Sequence, residues 1–138
     1  MKKVIALTLI GFSIVLMAAQ TKPAAVSKKA MDNGKKVYDT YCLACHQADG
    51  GGVPRLNPPL TKTTYVLGDK KRLVQIVVKG MNEPLEIDGE TYDNAMAAHD
   101  FLTDQEVADV LTYVRNSFKN KASAVTAAEV KAIRAKLK

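Results

Sequence analysis

The sequence predicts an all-α domain with one small β-hairpin. Three observations carry that expectation. Apolar residues recur at three- and four-residue spacing in separate segments along the chain. Thr103/Glu106 and Thr126/Glu129 each place a Thr three residues before a Glu at the head of an apolar stripe, the pattern of a helix N-terminus. Strict alternation, the mark of a strand, is confined to the short run Leu85–Tyr92. A length of 138 residues suits one domain and not two.

The first segment is read as a targeting sequence and not as part of that domain. Lys2 and Lys3 precede an apolar run from Val4 to Met17, and small residues follow at Ala18 and Ala19. This order predicts a secretory signal peptide over residues 1–19, cleaved near Ala18 or Ala19. The alternative is an uncleaved membrane anchor, since no charge occurs from Val4 to Thr21. That stretch is slightly shorter than the ~20 residues of a spanning helix. Either way the folded part is expected outside the cytoplasm, exported or periplasmic. Residues 20–26 read as a linker.

From Ser27 a first helix is expected, with Ala30, Gly34, Val37, Tyr38 and Tyr41 on one face. Gly34 costs about 1 kcal/mol relative to Ala in a helix, and it would let a second helix cross at close range. Asp49 to Thr64, with three glycines and three prolines, reads as a long loop. A second helix is expected from Asp69 as N-cap to Lys79, stopped by Gly80, with Leu73, Ile76 and Val77 as its apolar face. Leu85–Tyr92 forms the hairpin around an Asp88-Gly89 turn. The helix after Thr103 carries the stripe Val107, Val110, Leu111, Val114 and Phe118, with Leu102 stapled to Val107. A last helix is expected over about 127–137, with Val125 stapled to Val130.

The chemistry is concentrated at Cys42-Leu-Ala-Cys45-His46. These are the only cysteines, and a disulfide between them would close too small a loop to stabilise the chain much. On a helical turn, residues three apart share a face. Two thiols so placed can add to both vinyl groups of one haem, and the following histidine can offer its imidazole to the iron. The prediction is one covalently bound haem c, with Cys42 and Cys45 as thioether positions and His46 as an iron ligand. Two other readings compete. A thioredoxin-like pair needs a βαβ setting that is absent from the pattern. A Cys₂His₂ zinc site would need Cys42, Cys45, His46 and the distant His99, with an awkward chelate at adjacent Cys45 and His46.

Composition agrees with a cofactor at the centre. There is no Trp and only three Phe, so little aromatic material is available for a core. The formal charge of +6 is unevenly spread. Residues 115–138 hold seven basic side chains and one acid, whereas Glu83 to Asp109 holds nine acids and no Lys or Arg. The basic tail lacks interleaved aromatics, so nucleic-acid binding is not expected. The acidic stretch is either a docking face or a set of caps and turns. No set of side chains patterned as a catalytic base or nucleophile is visible.

With those residues in view, the chain resembles the class I c-type cytochromes over residues 27–119. The likeness is strongest at residues 34–46 (GKKVYDTYCLACH), 57–60 (NPPL) and 96–118 (MAAHDFLTDQEVADVLTYVRNSF). It is similar in particular to the small cytochrome domains of exported dehydrogenases and copper nitrite reductases, which often carry a further C-terminal helix. The resemblance implies a class I cytochrome c fold: three core helices around the haem, the hairpin near a methionine ligand, and an extension over 120–138. It places the sixth iron ligand at Met96, although Ala97 stands where the family usually has Pro. His99 and an open position are the alternatives, while Met81, just past a helix end, reads as core or loop packing. It gives Pro58 the role of accepting the His46 Nδ1–H through its carbonyl, with Leu60 packed on the haem. Gly34 and Tyr38 match the crossing of the first helix with the one that carries Tyr113. Arg55 is either a haem-propionate partner or a solvated loop charge. The function implied is that of an electron carrier and not an enzyme, exchanging single electrons by Fe(III)/Fe(II) cycling with a dehydrogenase, nitrite reductase or terminal oxidase. Membrane contact is expected only if the N-terminal segment is uncleaved.

Overall fold

The computed structural model describes residues 24–137. The segment read as a signal peptide, with Met1 and Met17, lies outside the described residues, as does most of the linker. Among the described residues no helix is long and apolar enough to cross a membrane.

Helix α1 spans Lys28–Tyr41. Ser27 caps it, its hydroxyl accepting the Ala30 N–H, and Gly34, Val37 and Tyr38 form its buried face. Tyr41, expected on that face, is 45% exposed instead, because it lies over the cavity mouth described below. The turn α2, Leu43–His46, follows directly. The long loop ends in a second short turn, α3, Thr64–Leu67, capped by Thr63. Helix α4 runs Lys70–Lys79 between Asp69 and Gly80, as the sequence indicates. Strands β1, Leu85–Ile87, and β2, Glu90–Tyr92, pair antiparallel with Leu85 opposite Tyr92 and Ile87 opposite Glu90. Asp88 (φ 51°) and Gly89 (φ 83°) make the tight connection, both in the left-handed region that a two-residue hairpin loop favours.

Helix α5, Asp104–Val114, begins at the expected capping box: Thr103 accepts the Glu106 N–H while the Glu106 carboxylate accepts the Thr103 N–H. It crosses α1 at Gly34. A Cβ added there would lie 2.1 Å from the Asp109 carbonyl oxygen and 2.7 Å from Tyr113 Cβ, so only glycine permits this approach. Helix α6, Ala127–Arg134, starts with the second capping box, Thr126 with Glu129. It packs on α4 and α5 through Val130, which is fully buried. Residues 124–130 thus contribute Val125 and Val130 to the same core as α1, α4 and α5.

Two further expectations are corrected. The face of α4 is wider than Leu73, Ile76 and Val77. Val74 and Val78 are buried in the helix core, while Ile76 and Val77 line the central cavity. A helix wedged between a core and a cofactor site needs two apolar sides. Phe118 is not part of the α5 stripe, because the helix stops at Val114. Phe118 and Lys119 take φ values of 54° and 64°, which turns the chain back. The Phe118 ring then packs on Tyr38 and Tyr113, at centroid distances of 5.2 and 5.7 Å.

Candidate functional site

The helices and the hairpin enclose one large apolar cavity of about 270 Å³. Its walls come from every part of the fold: Cys42, Cys45 and His46 from the α1–α2 junction, Pro58 and Leu60 from the loop, Leu73 and Val77 from α4, Leu85 and Ile87 from β1, and Val110 and Val114 from α5. Walls of this kind suit a large apolar group.

The Cys-x-x-Cys-His segment is wound by two backbone bonds to one acceptor, with the Cys45 and His46 N–H groups both donating to the Cys42 carbonyl at 3.2 and 2.9 Å. This turn brings both sulfurs and the imidazole to the same cavity. The thiols are not joined in a disulfide. Burial, and then the nearby Cys45, push the Cys42 thiol up to about 11. A thiol held so far from ionisation is the opposite of the low-pKa nucleophile in a thiol redox pair.

The imidazole of His46 is oriented by the loop. Its Nδ1 lies 3.0 Å from the Pro58 carbonyl oxygen, and a carbonyl can only accept, so Nδ1 carries the proton. The other nitrogen, Nε2, then holds a free lone pair. Burial lowers the pKa of the ring, more than the Pro58 hydrogen bond raises it, which keeps the ring neutral. A neutral imidazole with Nδ1 engaged is the form that ligates a metal. Among the described residues no three His, Cys, Asp or Glu side chains are gathered to hold a metal ion, so the Cys₂His₂ arrangement is not assembled.

Met81, Met96 and His99 all line the cavity. Met81 and Met96 form an isolated antiparallel bridge. Gly80 supports it at φ 74°, where an added Cβ would lie 2.4 Å from the Met96 carbonyl oxygen. Met81, expected as core or loop packing, stands in the cavity wall; two methionines flanking a hairpin are the signal for such a pairing. His99 donates its backbone N–H to Val77, and its Nδ1 is buried without a partner. Its ring packs between Tyr41 and the 61% exposed Phe101, at 6.4 and 5.8 Å. Arg55 is exposed and does not line the cavity. Glu83, Glu86, Asp88, Glu90 and Asp93, on and beside the hairpin, are all exposed.

A helical domain built round an apolar cavity, with two thiols and a proline-held imidazole opening into it, defines a haem-binding electron-transfer domain. The cytochrome c family model matches residues 31–118. The chain is 30% identical over 116 residues to cytochrome c-552 of Thermus thermophilus, covering 78% of each. It is 35% identical over 106 residues to the cytochrome c subunit of a quinone alcohol dehydrogenase from Gluconacetobacter polyoxogenes. It is 36% identical over 105 residues to the gluconate 2-dehydrogenase cytochrome c subunit of Pantoea cypripedii. The two dehydrogenase-subunit alignments each take in 73% of this chain, but only 22% and 24% of the subunits themselves. The chain belongs to the cytochrome c family. As a member it binds one haem c covalently and transfers electrons, with no substrate transformation of its own.

Proposed function

We propose that this chain is an exported, periplasmic mono-haem carrier with His/Met-ligated iron, serving a membrane or periplasmic dehydrogenase. Cys42 and Cys45 hold the haem as thioethers, His46 and Met96 bind the iron, and Pro58 and Leu60 complete the pocket. Residues 1–19 direct export, 20–26 form a tether, and 27–119 form the cytochrome domain with 120–138 as its extension. The haem supplies Fe(III)/Fe(II) cycling. The chain's own residues set how readily that occurs: His46, made more basic by the Pro58 carbonyl, favours the oxidised state, and a thioether ligand favours the reduced one. The apolar walls exclude water and raise the cost of the extra charge on the oxidised site.

The observation that carries this reading is the 3.0 Å contact from His46 Nδ1 to the Pro58 carbonyl inside a cavity that Met96 also lines. Relatives that are dehydrogenase subunits support a dehydrogenase partner; a nitrite reductase or terminal oxidase is the alternative partner. The test is the visible spectrum of the exported protein, oxidised and reduced, with carbon monoxide added to the reduced form. A reduced spectrum unmoved by the gas is expected. A spectrum shifted by it means an open or labile sixth position and replaces the carrier by a gas-binding or peroxidase-like haem protein.

A further inference from the structure

We propose that Asn120 is a positioning residue for the iron's histidine side, acting at a distance through the loop that carries Pro58. This rests on the reading of His46 as an iron ligand. The Pro58 carbonyl must be held still if its bond to His46 is to have a fixed strength. Pro58 and Pro59 have no N–H, so neither can anchor this stretch with its own donor. The nearest anchors on the C-terminal side are the backbone groups of Leu60 and Lys62, and Asn120 binds both.

Asn120 is 7% exposed and lies beyond the end of α5, after the turn at Phe118 and Lys119. Its Nδ2 donates to the Leu60 carbonyl at 2.9 Å and to the Val114 carbonyl at 2.8 Å. Its Oδ1 accepts the Lys62 N–H at 2.7 Å. One amide thus ties the cofactor loop to the last turn of α5. Leu60 is fixed from its other end as well, its N–H donating to the Gly50 carbonyl at 2.7 Å. A second buried side chain, Arg115, extends the clamp: its guanidinium donates to the carbonyls of Val66, Gly68 and Ser123 at 2.5, 3.3 and 3.2 Å. Both residues belong to the segment that leaves α5, and between them they hold residues 60–68 against it. Removing the Asn120 amide leaves buried carbonyl and N–H groups unsatisfied, and the loop relaxes to hydrate them. The His46 to Pro58 bond then loosens, and the imidazole becomes a weaker electron donor.

The test uses the full haem-loaded chain. Deuterium exchange of the His46 Nδ1–H is followed by NMR in the reduced protein, and the reduction potential is measured in parallel. Asn120→Ala is expected to speed exchange about tenfold, a little more than one buried hydrogen bond's worth, and to move the potential upward. Asn116→Ala is the control. Asn116 bonds the Thr112 carbonyl and the Ala122 N–H in the same segment but does not bond to the loop. It should lower the melting temperature without moving exchange or potential. If Asn120→Ala does not fold, the equally sized Asn120→Asp, which also removes both donated bonds, carries the same expectation. Exchange and potential unchanged in the Asn120 variant, or changed equally in Asn116→Ala, overturn the proposal. A parent protein with no haem-shifted His46 Nδ1–H resonance would instead undo the ligand reading itself.

Discussion

Met81 and Met96 exchange a pair of backbone hydrogen bonds, 2.9 Å from the Met81 N–H to the Met96 carbonyl and 2.8 Å in return. Two residues paired in this way present their side chains on the same side of the ladder. Both methionines line the cavity, so the chain after α4 and the chain after the hairpin reach it together. The backbone pairing alone does not choose between their sulfurs. The choice of Met96 rests on its place in the resemblance to class I cytochromes.

Replacing each methionine by alanine separates the two. Met96→Ala is expected to let carbon monoxide bind the reduced protein and to lower the potential by a sizeable part of the roughly 0.8 V that axial ligands span. Met81→Ala should leave the gas excluded and change the potential little. Optical titration of both variants checks this, and the reverse outcome would transfer the ligand role to Met81.

The α1–α5 crossing predicts a stability effect of defined sign. Alanine is favoured over glycine by about 1 kcal/mol inside a helix. At Gly34 the added carbon would meet the Asp109 carbonyl at 2.1 Å, and the helices must move apart. Overpacking commonly costs about 1–3 kcal/mol, and a backbone collision belongs at or beyond the top of that range. Gly34→Ala should therefore lose about 2 kcal/mol net, or roughly 8 °C in Tm. Thermal unfolding of the haem-loaded variant checks it; a Tm equal to the parent's would mean the crossing is looser than described.

Glu129 ties α6 to the body of the domain and sets a pH dependence. Burial raises its pKa, but the Lys70 ammonium and the Thr126 N–H and hydroxyl outweigh that and hold the carboxyl below its usual value. A carboxyl depressed in the folded state adds stability above its unfolded pKa, about 4.3, and loses it as pH falls through the lower folded value. Glu129→Gln should therefore cost about 1 kcal/mol at neutral pH, after solvent screening of this partly exposed pair. The gap between parent and variant should close as the pH falls below 4. Denaturant melts at both pH values check it. A gap that persists in acid would assign the effect to packing and not to charge.

Much of this protein is legible from local signals, because those signals are local in their physics. Capping boxes at Thr103 and Thr126, the glycine stop at Gly80 and the Asp88-Gly89 turn each involve residues within a few positions of one another, and each stands where the sequence places it. The Cys42–His46 motif is equally compact, since one helical turn is enough to bring two thiols and an imidazole to one cavity. Gly34 shows the limit of such signals: the sequence marks a close crossing, but the collision distance depends on where α5 lies.

Tertiary structure decided what depends on distant groups. Phe118 continues the apolar period of α5, yet the helix ends four residues earlier, and its ring instead closes an aromatic trio with Tyr38 and Tyr113. Tyr41 keeps the helical period of α1 and is nonetheless exposed, because its side of the helix overlooks the cavity mouth and not α5. Met81 reaches the cavity only by pairing with a residue fifteen positions on. Asn120 and Arg115 have no pattern of their own, for their partners are backbone carbonyls and an N–H, most of them in the 60–68 segment, which any sequence supplies. Side chains that bind backbone leave no trace in residue type at the other end, and only the folded chain reveals them.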